Sequence, residues 1–423
     1  MRQRHKLKHV TITFSSQQLL IYRSKRLFFF MFLFLTKFKS IIPIIILAIL
    51  GLVAGGIFGV KSRQQTKVIS NVSAGPSTTA VVPTSTPRGP IVHKVSSPMP
   101  RINAQPVARV TLTPRAPVLT RNGPVNWGVT IRPYLTPDQG FNRAFLPKQF
   151  VLMKELGVTS VRADYDFTHV DMNDLIVAQA RQHKMQLIFI LPMDQNQLAT
   201  DKNLSSNVYR QVYDVVKKYK GQVAVWQLGT EVATVAMKKP DMNGIEFTDY
   251  PEETYRPVAT WIQAASRATI DADPRAKRLL NDQWIHAGFF KKFLAEGGQF
   301  DILGWNWFSD MGGPERIEEL HINDDPNRPF RLMDTLKSYN KELWFAEVNR
   351  RDGDSDGNPE AQADFIASIA QYANANQRVS TFLVFLLIGE AGYGIADANY
   401  QGGTVSGVKK AFTRYQQIID QSR

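Results

Sequence analysis

Residues 122–423 alternate between short apolar runs and longer amphipathic segments. The apolar runs have the length of buried parallel strands, and they lie at 125–131, 160–165, 186–191, 223–228, 278–282, 302–307, 343–346 and 379–387. The amphipathic segments have the period and stop signals of helices, and they lie at 147–156, 171–183, 206–220, 253–272, 359–376 and 406–419. The connections after Asp282 and Trp307 are partly helical in pattern.

Eight strands, each followed by a helical segment, predict an α/β fold of the (β/α)8 TIM-barrel type. A doubly wound open sheet is the alternative. Such a sheet normally carries a glycine-rich phosphate turn after its first strand. The run W-G-V-T-I-R-P-Y-L at residues 127–135 has no such turn, which favours the barrel.

The segment 41–60 is apolar and uncharged over 20 residues, which is the length that crosses a bilayer as a helix. Nine Lys and Arg residues precede residue 40, whereas Lys61, Arg63 and Lys67 follow the segment. The positive-inside rule then places residues 1–40 in the cytoplasm and the remainder outside. We therefore predict a single-pass signal-anchor in the cell membrane, with cleavage and secretion as the alternative. Met31 is an alternative start of the chain.

Residues 61–121 are rich in Pro, Ser, Thr and Val, a composition that cannot bury enough apolar surface to fold. This stretch predicts a disordered linker between the membrane segment and a catalytic domain at 122–423. The first 121 residues contain 18 Lys and Arg but no Asp or Glu, so the formal net charge of +14 belongs to this N-terminal part. The predicted domain is mildly acidic and lacks the basic, aromatic surface of a nucleic-acid-binding protein.

The chain contains no cysteine, which excludes disulfides, thiolate metal sites and a cysteine nucleophile. Its seven histidines form no H-E-x-x-H or H-x-H pair, so neither a metal site nor a cofactor is predicted.

Two glutamates end buried runs of the predicted barrel. Glu231 closes V-A-V-W-Q-L-G-T-E and Glu347 closes E-L-W-F-A-E. A carboxylate is costly to place beside apolar residues, and the active sites of TIM barrels lie at the carboxyl ends of the strands. Paired carboxylates at this position are typical of glycoside hydrolysis.

Other polar and aromatic residues end neighbouring strands. Period-two alternation places Arg162, Asp164 and Asp166 on one face of the second strand, toward the barrel mouth. From their positions at strand ends, we predict a set of substrate-binding residues, namely Arg162, Asp164, Asp194, Thr230, Gln283, Trp305, Trp307 and Arg350.

These strand ends resemble the clan A glycoside hydrolases, which are retaining (β/α)8 enzymes. W-Q-L-G-T-E resembles the strand-four motif of the acid/base glutamate, and W-F-A-E resembles the strand-seven motif of the nucleophile. The resemblance implies that Glu231 is the acid/base, that Glu347 is the nucleophile and that Arg162 holds the nucleophile. G-T-E is also similar to the family 113 mannanase-like branch. Two departures stand out: Thr230 replaces the usual Asn, and no tryptophan is evident at the end of strand eight, near Gly389 and Glu390.

The resemblance implies a membrane-anchored, extracytoplasmic hydrolase of β-linked poly- or oligosaccharides that works by double displacement. The alternative is a catalytically silent barrel that binds cell-surface glycan, and the two departures favour it. A purely structural surface protein is a third possibility. The separation and orientation of the two carboxyl groups distinguish the first function from the others.

Overall fold

The computed structural model describes residues 119–133, 143–239, 242–351, 353–389, 392–399 and 403–423, all within the unit Pro106–Arg423. The predicted membrane segment at 41–60 lies outside the described residues, as does the predicted linker up to residue 118. Among the helices of the described part, none is both long and apolar enough to cross a membrane.

Eight parallel strands close into a barrel, as the sequence predicts. In chain order they are β1 (Asn126–Ile131), β2 (Ser160–Asp164), β3 (Gln186–Leu191), β4 (Val225–Leu228), β5 (Lys277–Gln283), β6 (Ile302–Phe308), β9 (Glu342–Asn349) and β10 (Val379–Phe385). The order around the barrel is β1-β10-β9-β6-β5-β4-β3-β2. Glu347 therefore lies on the seventh barrel strand, and Glu231 follows the fourth.

Two short antiparallel pairs of strands lie in the connections. They are β7 (Leu320–His321) with β8 (Pro329–Phe330), and β11 (Ala396–Asn399) with β12 (Thr404–Val408). The second pair corrects the predicted helix at 406–419. The run T-V-S-G-V favours a strand because Val and Thr are β-branched and Gly weakens a helix, so the last helix begins only at Lys410.

The helices surround the barrel. They are α1 (Leu146–Leu156), α2 (Val170–Gln182), α3 (Gln195–Thr200), α4 (Leu204–Lys218), α5 (Val232–Ala236), α6 (Glu252–Ala272), α7 (Gly288–Ala295), α8 (Pro314–Glu318), α9 (Leu332–Ser338), α10 (Pro359–Ala375) and α11 (Lys410–Gln421). Short 3-10 turns lie at Arg143–Phe145, Phe247–Asp249, Ser309–Met311 and Ile322–Asp324.

The barrel interior changes from apolar to polar along its axis. A cluster of six buried side chains closes its amino-terminal end, namely Ile188, Val225, Leu279, Ile302, Trp344 and Leu383. Above this cluster the inward residues are polar and buried, among them Arg162, Gln227 and Asn281. Buried polar groups require partners, so the carboxyl ends of the strands hold a hydrogen-bonded network, which is described below.

Candidate active site

Glu231 and Glu347 line one pocket of about 340 Å³ at the carboxyl ends of the strands. Glu231 lies between β4 and the short helix α5, with a left-handed backbone (φ 49°, ψ 52°). Non-glycine residues rarely adopt this conformation, and those that do are often found at functional sites.

Glu347 reaches the pocket through an irregularity of its strand. Ala346 faces the barrel interior, since a Cβ added to Gly304 would lie 3.0 Å from the Cβ of Ala346. Simple alternation would turn the next residue outward. The pairing of β6 with β9 shifts by one residue after Trp305, however, so that Asn306 pairs with Glu347. This β-bulge directs Glu347 inward as well, a known use of bulges near active sites.

Arg162 forms a buried ion pair with Glu347. Its Nη2 atom lies 2.7 Å from Oε1 of Glu347, and both side chains are less than a tenth exposed. The guanidinium also donates from Nε to Oε1 of Gln227 (2.8 Å) and from Nη1 to Oγ1 of Thr130 (3.2 Å). Arg162 thus places a positive charge directly against the carboxyl group of Glu347, and its other donors are held by neighbouring strands.

Both carboxyl oxygens of Glu231 accept hydrogen bonds from side-chain amides. Nε2 of Gln283 donates to Oε2 (2.9 Å), and Nδ2 of Asn306 donates to Oε1 (3.1 Å). The backbone N–H of Glu231 donates to Oδ1 of Asn281 (3.1 Å). These contacts fix the carboxyl group in one orientation.

A chain of amides links the two glutamates through the barrel interior. Nε2 of Gln227 donates to Oδ1 of Asn281 (2.9 Å), and Nδ2 of Asn281 donates to Oδ1 of Asn306 (3.0 Å). Gln227 also accepts from Arg162, so the chain runs from the partner of Glu347 to the partner of Glu231. All four linking residues are buried.

The environments of the two glutamates differ in charge. Burial raises the pKa of Glu231, and the negative charges of Glu347 and Asp282 raise it further, to about 7. The hydrogen bond from Asn306 and the positive charge of Arg351 act in the opposite direction. Glu231 is therefore largely protonated below neutral pH, whereas Glu347 lies against a guanidinium.

Asp282 anchors the helix that follows Glu231. Its Oδ2 atom accepts hydrogen bonds from the backbone N–H groups of Ala233 and Thr234, at the start of α5. Its Oδ1 atom contacts Nδ1 of His286 at 2.8 Å and accepts from the backbone N–H of Gln283 at 2.9 Å. Asp282 thus ties together the two segments that carry Glu231 and its partner Gln283.

The predicted substrate-binding residues divide among three places. Thr230 lines the pocket and Gln283 bonds Glu231 there. Asp164 and Asp194 line a neighbouring pocket of about 810 Å³. Asp194 also accepts from the N–H of Asn196 as the N-cap of α3.

Trp305 and Trp307 do not line either of these pockets, in contrast to the sequence-based expectation. Both are fully buried on the outer face of β6. Nε1 of Trp305 donates to the carbonyl of Trp284 (2.9 Å), and Nε1 of Trp307 donates to the carbonyl of Gly312 (2.8 Å). They pack against the surrounding shell because Asn306, between them, takes the inward position.

Arg350 lies outside the pocket with the glutamates. Its guanidinium bonds the carboxylate of Asp356 (2.6 and 2.7 Å) and the carbonyl of Gly353 (2.9 Å), and so closes the loop after β9. Its neighbour Arg351 lines the pocket instead.

An aromatic wall, formed by Phe308, Phe385 and Tyr393, was not predicted. The ring centroids of Phe308 and Phe385 are 5.9 Å apart, and Tyr393 lies 6.1 and 5.4 Å from them. The guanidinium of Arg351 stacks 4.1 Å from the Phe308 centroid, and that of Arg132 stacks 4.9 Å from the Phe385 centroid. Arg132 lines both neighbouring pockets.

Phe385 is the aromatic residue at the end of the eighth barrel strand. The strand ends there, before Gly389 and Glu390, the neighbourhood in which the resemblance implies a tryptophan. Glu390 itself lies outside the described residues. Among the residues that the structure describes, no group of three His, Asp or Glu side chains could hold a metal ion.

Comparisons with solved structures show the barrel fold. A family 1 β-glucosidase from Thermotoga maritima matches with a TM-score of 0.52 and 11% identity, over 72% of this chain and 99% of that one. A GH10 endoxylanase from a sugarcane soil metagenome matches with a TM-score of 0.50 and 12% identity, over 69% and 97%. No protein-family model matches this sequence. No curated protein sequence matches it either.

Proposed function

We propose that this chain is a retaining glycoside hydrolase acting on a β-linked poly- or oligosaccharide. The observation that carries the proposal is the contrast between two glutamates in one pocket. Glu347 is paired with Arg162 at 2.7 Å, while burial and neighbouring negative charges raise the pKa of Glu231 to about 7. Environments that separate the protonation states of two carboxyl groups define an acid and a nucleophile.

In the first step, an oxygen of Glu347 attacks the anomeric carbon while Glu231 gives its proton to the leaving glycosidic oxygen. The bond to the leaving group breaks as the glycosyl ester forms. In the second step, Glu231, now ionised, takes a proton from water. The resulting hydroxyl attacks the anomeric carbon and releases Glu347.

The structural neighbours described above are a β-glucosidase and an endoxylanase, which agrees with this proposal. Phe308, Phe385 and Tyr393 line the same pocket as the two glutamates, and aromatic side chains are common in ligand-binding pockets. We further propose that segment 41–60 anchors the enzyme in the cell membrane with its barrel outside, on the basis of the charge asymmetry around that segment.

The test is a hydrolysis screen of the chain on β-glucans, mannans and galactans, run in parallel with Glu347→Gln. We expect reducing ends from at least one polymer and an activity loss of at least about 10³-fold in the variant, since it lacks the attacking carboxylate. Glu155→Gln, an exposed position on α1, is the matched control. Undiminished activity of Glu347→Gln would refute the role of Glu347. Glycan binding without hydrolysis would favour a silent barrel.

A further inference from the structure

Another pocket, separate from the two described above, lies at the opposite end of the barrel from the two glutamates. It has a volume of about 300 Å³. The amino-terminal ends of β9 and β10 supply Glu342 and Ser380, the described chain enters along it at Leu119–Pro124, and Arg378 precedes β10.

Arg378 is buried, and no partner for its charge is found among the residues that the structure describes. Only 7% of the residue is exposed. No residue that the structure describes forms a hydrogen bond with its Nε, Nη1 or Nη2 atom. Its backbone N–H, in contrast, donates to Oδ1 of Asn376 at 3.0 Å. An arginine remains charged at physiological pH, and leaving a buried charge uncompensated is strongly unfavourable.

The other charged groups of this pocket are already engaged. Nζ of Lys277 pairs with Oε2 of Glu342 at 2.5 Å. Oε1 of Glu342 accepts from Nε1 of Trp344 (2.9 Å) and from Oγ of Ser380 (2.8 Å). The Glu342 carboxylate is therefore satisfied by groups other than Arg378.

The guanidinium of Arg121 donates its hydrogen bonds to main-chain carbonyls. Its Nη1 atom donates to the carbonyls of Ala373, Asn376 and Val379 at 3.0 to 3.1 Å. Ala373 and Asn376 lie at the carboxyl end of α10, and Val379 begins β10. Arg121 thus adds a second positive charge to the pocket and provides no negative partner for Arg378.

We infer that this pocket is a binding site for a phosphate-type oxyanion, held by Arg378. The guanidinium fork matches a tetrahedral oxyanion in a bidentate manner, and burial strengthens the attraction. Thr120 and Asn122, which carry a hydroxyl and an amide, also line the pocket. Residues 1–121 contain no Asp or Glu, so the N-terminal segment cannot supply the anion.

The phosphate-type oxyanion could come from two sources, namely free phosphate and the phosphodiester of a lipid headgroup. The test is thermal unfolding of the full-length chain at constant ionic strength in chloride, inorganic phosphate or glycerophosphoglycerol. A ligand at roughly twenty times its dissociation constant should raise the melting temperature by on the order of 3 °C. A larger rise of the melting temperature with inorganic phosphate assigns free phosphate, and a larger rise with the diester glycerophosphoglycerol assigns a lipid headgroup.

Arg378→Met should lose this response and, in chloride, should melt no lower than the wild type, because an unpaired buried charge has been removed. Arg378→Lys keeps the charge and should respond more weakly. Arg414→Met, which removes the same charge from an exposed site, should respond like the wild type. General stabilisation by phosphate would raise the melting temperature of all variants equally, and that result would overturn the proposed site. A wild type that responds to neither anion would overturn it as well.

Discussion

The two glutamates of the pocket differ in their neighbours rather than in their residue type. Glu347 has a guanidinium at 2.7 Å, while Glu231 has two amide donors and the negative charges of Glu347 and Asp282 nearby. This difference in surroundings is the basis for the separate roles proposed for the two glutamates. The sequence predicted both glutamates because each ends an apolar run, and it predicted Arg162 from the alternation along the second strand. It also predicted Gln283 as a site residue, but not Asn306 or the linking amides Gln227 and Asn281, whose function depends on partners from other strands.

The pH dependence of hydrolysis follows from the raised pKa of Glu231. The proposed acid works in its protonated form, which is lost as the pH rises through about 7. We expect kcat/KM to fall about tenfold per pH unit above that value. A pH profile of the active substrate measures this. A profile that stays flat to pH 9 would contradict the assignment of Glu231.

At the scale of elements, β6 shows why Trp305 and Trp307 were predicted as site residues instead of Asn306. The run L-G-W-N-W alternates, so Trp305 and Trp307 share one face and Asn306 has the other. The same alternation that identifies Arg162 as inward on β2 identifies Asn306 as inward on β6.

The β-bulge that turns Glu347 inward cannot be recognised from the sequence of β9 alone, because a register shift depends on the partner strand. The pairing of β11 with β12 likewise depends on contacts between two segments. The helical period of 406–419 therefore led to a wrong prediction for the first residues of that segment.

Asp282 couples the ends of β4 and β5, and we predict that it positions Glu231. Asp282→Asn keeps the shape but removes a negative charge that raises the pKa of Glu231. The alkaline limb of the kcat/KM profile should therefore move to lower pH, and kcat should fall roughly tenfold as the anchor of α5 weakens.

The matched control is Asp356→Asn, which alters the ion pair with Arg350 outside the pocket and should leave the profile in place. A lower melting temperature for Asp282→Asn without any shift of the profile would show that Asp282 has only a structural role.

At the scale of the whole molecule, composition and period predicted the closed barrel and its active end. The strand bounds agree within a few residues because most of the strands contain an apolar run between polar connections. The pockets could not be predicted, since Arg132, Phe308, Phe385 and Tyr393 meet only through the order of strands around the barrel.

The predicted anchor at 41–60 has a simple test. We expect the full-length chain to sediment with membranes and to be released by detergent but not by high salt, because a 20-residue apolar helix inserts stably. A chain that begins at residue 119 should remain in the supernatant. Full-length protein recovered in the medium without detergent would contradict the anchor.

The central claim is that Glu347 forms a covalent bond to the sugar while Glu231 supplies and removes protons. Glu231→Gln should accumulate the glycosyl-enzyme from a dinitrophenyl glycoside of the sugar found in the screen, because this leaving group needs no acid whereas hydrolysis of the ester needs the base. Mass spectrometry of the trapped protein tests this most directly. The account predicts one added glycosyl unit on the peptide containing Glu347. An adduct on another residue, or turnover without any adduct, would contradict it.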